Sequence, residues 1–507
     1  MAAKSHENLR NTQLNKPRTD TDGLLVPTPD ASAAAGGVVL VADLDGTLLK
    51  SDMLHESFWS AVSADPRVLT RSARALMRGK PALKAYLADR MAFDPATLPY
   101  DPRVIAKLEA WRDSGGRTAL VTATDAKLAE TIGSHLGLFD EVHGTQGDVN
   151  LKGEAKARFL IEHYGAQGYV YFGDSEADLP VWASAHGAIS VGLSDRLRGR
   201  LDALELRQIE HLPGLGDPNM AILKALRPHQ WLKNLLVFVP LLADLAFGTS
   251  AILAAMLAFV ALSLTASSGY VLNDLLDLAD DRSHPRKRHR PFASGGLSAA
   301  TGTALVPALL VAGLLTALLA GPGLMAVVFG YFVATMVYSV KLKRHTMVDI
   351  CMLATLFTLR IIAGGIAIGV SLSVWLLAFS MFLFFSLAAI KRLAELTDTE
   401  AANRDVSRRG YQVEDRAVLS QMAVASGYLA ILVLALYIDQ PLVQEKYGTP
   451  WLLWGICPLL IFWISRMVLI SSRGEMHDDP LVWAITNKTS LKVLVLSCVF
   501  FAGAVMI

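Results

Sequence analysis

Along the 507-residue chain, the pattern of apolar and polar positions changes character near Met220. Before that point, short β-branched runs alternate with mixed, charged stretches. After it, long apolar runs dominate. Nine of them, at about 231–248, 251–273, 303–320, 323–341, 348–370, 373–391, 418–438, 451–470 and 490–507, approach the roughly 20 residues that a bilayer-spanning helix needs. In the first half, Val38–Ala42, Arg117–Val121 and Tyr169–Phe172 read as buried strands, and residues 50–100 as helical. Strands alternating with helices predict a parallel sheet whose ligands gather at the strands' carboxyl ends. Residues 1–37 are polar, then Ala/Gly/Pro-rich, and read as a disordered tail without a signal peptide. Pro213, Gly214, Gly216, Asp217 and Pro218 mark a linker. The expected organisation is a tail (1–37), an α/β domain (38–215), a linker (216–230) and an all-α bundle of nine transmembrane helices (231–507).

Composition sharpens this picture. The chain is 52% hydrophobic, which suits a membrane protein, and its net charge of +1 argues against nucleic-acid binding. Cys351, Cys457 and Cys498 all lie in apolar runs without paired spacing, so neither a disulfide nor a thiolate metal site is expected. Cations fall in alternate connections: Arg282, Arg286, Lys287, Arg288, Arg290, Lys341, Lys343, Arg344, Lys391, Arg392, Arg404, Arg408, Arg409, Arg416, Arg473 and Lys488 on one side, with Lys446 on the other. That asymmetry predicts a plasma-membrane protein whose N-terminal domain is cytoplasmic.

Two stretches carry candidate chemistry. In Asn273–Gly295, the polar heads of Asn273, Asp277 and Asp281 recur every four residues at the end of an apolar run. On a helix they would drift by only about 80°, so they share one face. Asp274 and Asp280 flank that face, and Arg286, Lys287, Arg288 and Arg290 follow. Oxygen ligands on one face suit Mg²⁺, and the cations suit a diphosphate. The other stretch is Asp43-Leu44-Asp45-Gly46-Thr47 at a strand end. There Asp43 can attack phosphorus, while Asp45 protonates the leaving oxygen and later deprotonates water. Further polar clusters recur at span ends: Tyr338 to Asp349 with Lys341 and Lys343; Lys391, Arg392 and Glu395; and His477, Asp478 and Asp479. Together these favour one shared polar cavity. Arg360 sits inside a span, where a charge costs at least about 2.5–3.5 kcal/mol, so it is expected to be buried and to face an acid or a phosphate. Pro240, Pro307 and Pro458 are expected to kink their spans.

Over residues 38–215 the order of motifs resembles the haloacid dehalogenase superfamily. The resemblance implies Asp43 as nucleophile, Asp45 as acid/base, Thr122 and Lys156 (or Lys152) as phosphate binders, and Asp174 and Asp178 joining Asp43 around Mg²⁺. It also implies a small helical cap between the first two motifs. Residues 225–507 resemble the UbiA family of intramembrane prenyltransferases, which implies Mg²⁺-diphosphate binding by Asn273, Asp277 and Asp281. The second acidic motif of that family is replaced here by Lys391, Arg392 and Glu395. RPHQWLKN at 227–234, with Lys233 and Asn234, and YSVKLKR at 338–344 bring the pattern closest to the decaprenyl-phosphate phosphoribosyltransferase branch. That resemblance implies a phosphorylated small-molecule donor and a membrane lipid partner. The lipid would be polyprenyl phosphate, or a prenyl diphosphate if the chain instead prenylates an aromatic acceptor. Asp274, Lys287, Arg290, Tyr338, Lys341, Lys343, Arg360, Lys391 and Arg392 would line the substrate site with Lys233 and Asn234. In such a fusion the soluble domain would remove the 5-phosphate from the transferred ribose. A transporter with a regulatory domain is the reading of a different class.

Overall fold

The computed structural model describes residues 37–88, 90, 94–146, 151–214, 216–401, 410–476 and 480–506. They form two compact units. One joins residues 1–222 to 274–302, and the other joins 223–273 to 303–507.

The first unit is built on six parallel strands: β1 (Val39–Ala42), β2 (Thr118–Asp125), β3 (Glu141–Thr145), β4 (Tyr169–Gly173), β5 (Gly187–Val191) and β6 (Gln208–Leu212). Their order is β3-β2-β1-β4-β5-β6. The direction of winding reverses at β1, which opens a crevice beyond the carboxyl ends of β1, β2 and β4. Successive residues alternate between two cores. Leu40, Leu120, Val170, Phe172 and Ile189 fill one face; Val39, Val41, Ala119, Val121, Tyr169, Tyr171 and Ala188 fill the other. Sequence reading found β1, β2 and β4. It passed over β3, β5 and β6, which are five residues each and lack long β-branched runs.

Helix α1 (Met53–Ala64) starts where Asp52 accepts hydrogen bonds from the Leu54 and His55 amides at 2.8 and 3.2 Å. It is followed by α2 (Val68–Met77) and α3 (Lys80–Ala88), which form the expected small helical insertion between the first two motifs. Helix α4 (Pro102–Asp113) leads into β2, α5 (Ala126–Leu136) into β3 and α6 (Glu154–Tyr164) into β4. Segment 274–302 completes this unit. Its short helix Leu278–Ser283 brings Arg282 to Glu56 of α1, with guanidinium–carboxylate distances of 2.7 and 3.0 Å.

The second unit is helical. Among the described residues, eight helices are long and apolar enough to cross a membrane: α7 (Thr249–Leu276), α8 (Ala299–Ala320), α9 (Pro322–Val340), α10 (Val348–Ile368), α11 (Val374–Ala401), α12 (Arg416–Ile438), α13 (Ile456–Ser472) and α14 (Lys488–Met506). The protein is therefore a multi-pass membrane protein with an α/β domain. The expected span at 231–248 is corrected. Pro228–Phe238 is a 3₁₀ segment and Val239–Ala243 a five-residue helix, with Pro240 in the latter's first turn, where a missing N–H is tolerated. Pro307 lies within α8. The segment read as a linker holds the helix Pro218–Leu226.

Candidate active sites

In the first unit, the carboxyl ends of β1, β2 and β4 surround a cavity of about 630 Å³. Asp43 and Asp45 follow β1, Thr124 lies near the end of β2, and Asp174 and Asp178 follow β4. Lys156, in the first turn of α6, is buried, and its Nζ is 2.8 Å from Asp43 Oδ2. The same ammonium donates to the Tyr171 hydroxyl at 2.8 Å, and that hydroxyl donates to Asp178 Oδ1 at 3.1 Å. The Leu44 amide donates to Asp43 Oδ1. Asp43 is thus held by a lysine and an amide, with its carboxylate at the cavity wall.

Asp45 accepts from the Met53 amide at 2.7 Å and from the Thr124 hydroxyl at 2.8 Å. Burial, with Asp52 and Asp43 nearby, pushes its carboxyl up to about 7 against those two hydrogen bonds. A carboxyl in that range can both give and take a proton near neutrality. Thr124, not Thr122, lines the cavity. Thr122 is fully buried and its Oγ1 accepts from the Thr124 amide at 3.1 Å. β2 runs on to Asp125, with a register shift against β3 between Val121 and Asp125, and Thr124, two residues nearer the strand's carboxyl end than Thr122, stands beside Asp45. Lys84 of α3 also lines the cavity and donates to the Ala123 carbonyl at 2.7 Å. Lys152, two residues ahead of α6, lines the wall as well.

These residues fit Mg²⁺. One oxygen from each of Asp43, Asp174 and Asp178 lies within 4.8 Å of the other two. Burial and the charges of Asp178, Asp43 and Asp45 push the Asp174 carboxyl up to about 8, so this crowd of acids calls for a cation. Gly46 lets the loop approach. A Cβ there would stand 2.1 Å from Asp174 Oδ2, and its φ is +74°.

The acidic stretch after α7 differs from the expected single helix face. The helix ends at Leu276 and a new one starts at Leu278, with Asp277 between them at φ −96°, ψ 14°. Short carboxylates at 274, 277, 280 and 281 compete with the main chain for N–H groups and weaken helix here. Arg290 Nη1 bridges Asp274 Oδ1 at 3.0 Å and Asp281 Oδ2 at 2.7 Å, and Lys287 Nζ is 4.0 Å from Asp281 Oδ1. Burial raises the Asp281 carboxyl despite Arg290. Asp281 Oδ1 accepts no hydrogen bond. Asn273, the last residue of its unit's part of α7, has a buried Oδ1 that likewise accepts none. Buried oxygens left over in this way are chemically suited to a hard cation.

In the helical unit, Arg392 is buried and pairs with Asp349 of α10 and Glu395, and donates to the Tyr338 hydroxyl at 3.2 Å. Tyr411 donates to the other Asp349 oxygen. The stretch KRLAE continues α11. Lys233 and Lys391 line one small hollow with Phe357, Leu387 and Pro480. Lys341 and Lys343 lie in the turn after α9. Arg360 is buried, as expected, and its protein partners are neutral. Its guanidinium meets Asn234 Oδ1 (2.9 Å), the Leu356 carbonyl (2.7 Å) and the Tyr331 hydroxyl (2.7 Å), and among the described residues no acid pairs with it. Neutral oxygens and the rings of Tyr331 and Phe357 are enough to hold it inside the bundle. Asn234, whose amide also reaches Ser263, helps to anchor it. His477, Asp478 and Asp479 lie outside the described residues, as do Arg404, Arg408 and Arg409.

Comparison with known proteins finds two families along the chain. The UbiA prenyltransferase family matches residues 235–503, and the haloacid dehalogenase-like hydrolase family matches residues 40–182. An uncharacterized protein of Sinorhizobium fredii is 38% identical over 458 residues, covering 89% of this chain and 88% of its own length. Nodulation protein NoeC of Azorhizobium caulinodans is 38% identical over 277 residues, covering 54% of this chain and 90% of its own. Decaprenyl-phosphate phosphoribosyltransferase of Mycobacterium tuberculosis is 30% identical over 288 residues, covering 56% of this chain and 93% of its own. The chain belongs to the UbiA prenyltransferase family and carries a haloacid dehalogenase-like hydrolase domain ahead of its transferase domain.

Proposed function

We propose that the membrane domain transfers 5-phosphoribose from phosphoribosyl diphosphate to polyprenyl phosphate, and that the α/β domain then removes the 5-phosphate. The carrying observation is the hollow that Lys233 and Lys391 line together. Two ammonium groups at an apolar wall suit a phosphorylated lipid better than a neutral aromatic acceptor. The named activity of the mycobacterial relative supports the same choice. Loss of diphosphate from the anomeric carbon builds negative charge on oxygen. Asn273, Asp277 and Asp281 would hold the Mg²⁺ that offsets it, while Arg290 and Lys287 grip phosphate. Arg392, fixed by Asp349 and Glu395, holds the Tyr338 hydroxyl within the helical unit.

In the α/β domain, Asp43 attacks the phosphomonoester while Asp45 gives its proton to the departing ribose oxygen. Asp45 then takes a proton from the water that cleaves the phosphoaspartate. Lys156 pairs with Asp43 and balances the incoming phosphate charge. Mg²⁺ held by Asp43, Asp174 and Asp178 would supply further countercharge. The N-terminal domain lies in the cytoplasm, as the loop cations suggest, where a soluble donor and the hydrolase can meet the same lipid.

The test uses the whole detergent-solubilised chain, polyprenyl phosphate and ribose-labelled phosphoribosyl diphosphate. Label should enter the lipid phase, and Asp43→Asn should accumulate the phosphorylated lipid. Consumption of an allylic diphosphate with phosphoribosyl diphosphate ignored would overturn the transferase reading. A mutant that dephosphorylates normally would overturn the hydrolase reading.

A further inference from the structure

The sheet edge at β3 carries donors that the hydrolase chemistry does not use. Glu141 and His143 are two residues apart on this edge strand, so both side chains leave the same face. His163, in the last turn of α6, reaches them. His143 Nε2 is 3.3 Å from Glu141 Oε2, and His163 Nε2 is 3.4 Å from the same oxygen. All three donor atoms lie within 4.8 Å of one another. A charged imidazole–carboxylate hydrogen bond would close to about 2.7–2.9 Å. Ligands placed tetrahedrally around Zn²⁺ at about 2.0–2.1 Å stand about 3.3–3.4 Å apart. The two separations, long for such a charged hydrogen bond, match the second spacing.

We propose that Glu141, His143 and His163 form a three-ligand site for a Zn²⁺-class dication, separate from the acid cluster. Glu141 opens β3, so the site lies toward the amino ends of the strands, whereas Asp43 and Asp174 follow carboxyl ends. Its surroundings set the ligands in place. Phe159 stacks on the His163 ring at 5.3 Å and meets the His143 ring edge-on at 5.0 Å. The Tyr164 hydroxyl donates to Glu141 Oε2 at 2.8 Å, and Arg117 pairs with Oε1. These two contacts fix the orientation of the carboxylate, as outer hydrogen bonds do for metal-binding carboxylates. Two histidines and one glutamate leave a fourth position open to water. The three side chains are partly exposed, so an ion can enter from solvent. A bound ion would tie β3 to the end of α6, the helix whose first turn holds Lys156 against Asp43.

The test takes the full-length, tag-free protein in detergent, stripped with a chelator, and titrates it with Co²⁺ alone. The expected result is saturable visible d–d absorption of a tetrahedral site. It should be lost in His143→Ala/His163→Ala, weakened in Glu141→Gln and kept in Asp43→Asn. Added Zn²⁺ should bleach the bands and raise the melting temperature of the wild type but not of the double variant. The metal-free melting temperature of each variant checks that it folds. Absence of bands, or bands unchanged in the double histidine variant, overturns the site. Bands lost only in Asp43→Asn place the ion at the acid cluster and overturn it as well.

Discussion

Glu56 and Arg282 are 4% and 7% exposed, and they meet through two bonds of 2.7 and 3.0 Å. Arg282 Nε also donates to the Ala293 carbonyl. Arg282→Met would leave the Glu56 carboxylate buried without its cation, a loss of about 3–5 kcal/mol. Glu56 lies on α1, whose first amide, from Met53, holds the acid/base Asp45. If only about 1.4 kcal/mol of that loss reached Asp45 in the transition state, kcat would fall tenfold. The assay is Mg²⁺-dependent hydrolysis of p-nitrophenyl phosphate by the whole solubilised chain. Arg282→Met should lose at least about tenfold in kcat on this reasoning. Glu56→Gln/Arg282→Met should recover part of the loss, because no charge is then buried alone, and a double-mutant cycle reads the coupling. Activity of Arg282→Met within twofold of wild type, or a double variant no better than the product of the singles, would refute the reasoning. The same pair bears on domain cutting. A fragment of residues 1–215 lacks Arg282, and also Ser298 and Ala300, which line the cavity. It should be less active than the whole chain.

Three further outcomes are expected. Gly46→Ala forces φ +74° on a residue with a Cβ aimed at Asp174, so Mg²⁺-dependent hydrolysis should disappear while circular dichroism keeps its α/β signal. Arg290→Met leaves Asp274 and Asp281, both 2% exposed, without their shared cation. Its melting temperature should drop, and Mg²⁺ should restore more of it than the same Mg²⁺ adds to wild type. Arg392→Met strands the fully buried Asp349; a loss of about 3–5 kcal/mol is expected, and Asp349→Asn in the same chain should return part of it in detergent melting curves.

Sequence showed the two-part architecture because its signals are long or repeated: apolar runs of span length, and acids at strand ends. It located Asp43, Asp45, Lys156, Asp174 and Asp178, which the structure brings to one cavity. What it missed depends on where the chain stops being regular. Nothing local to Thr122 says that β2 extends three more residues and turns Thr124 to Asp45. The apolar run at 231–248 has span-like composition, yet its main chain is mostly 3₁₀. Arg360 was read by charge alone, but its partners, Asn234 and Tyr331, are more than 25 residues away and neutral. Glu56 and Arg282 are 226 positions apart, beyond any periodicity argument. Glu141, His143 and His163 are separated by a strand-to-helix connection, and only the fold sets them side by side.

The two acidic clusters of the first unit differ in how their charge is compensated, and that difference bears on what each can bind. Around Asp43, three aspartates share one ammonium, Lys156, so net negative charge remains and the Asp174 carboxyl is driven up to about 8. A divalent ion relieves this crowding directly. Asp274 and Asp281, by contrast, share the guanidinium of Arg290, with Lys287 near by. That pairing is already close to neutral, and a dication alone gains less by entering. A dication arriving with a diphosphate gains more, because the phosphate oxygens offer Arg290 and Lys287 new partners while the aspartate oxygens pass to the metal. The first cluster is therefore expected to bind Mg²⁺ without substrate. The second should bind Mg²⁺ and diphosphate together, each tightening the other. Calorimetry with Mg²⁺ alone, inorganic diphosphate alone and both, on Asp43→Asn and Asp281→Asn chains, separates the two behaviours. Independent binding of Mg²⁺ and diphosphate at the second cluster would refute the distinction.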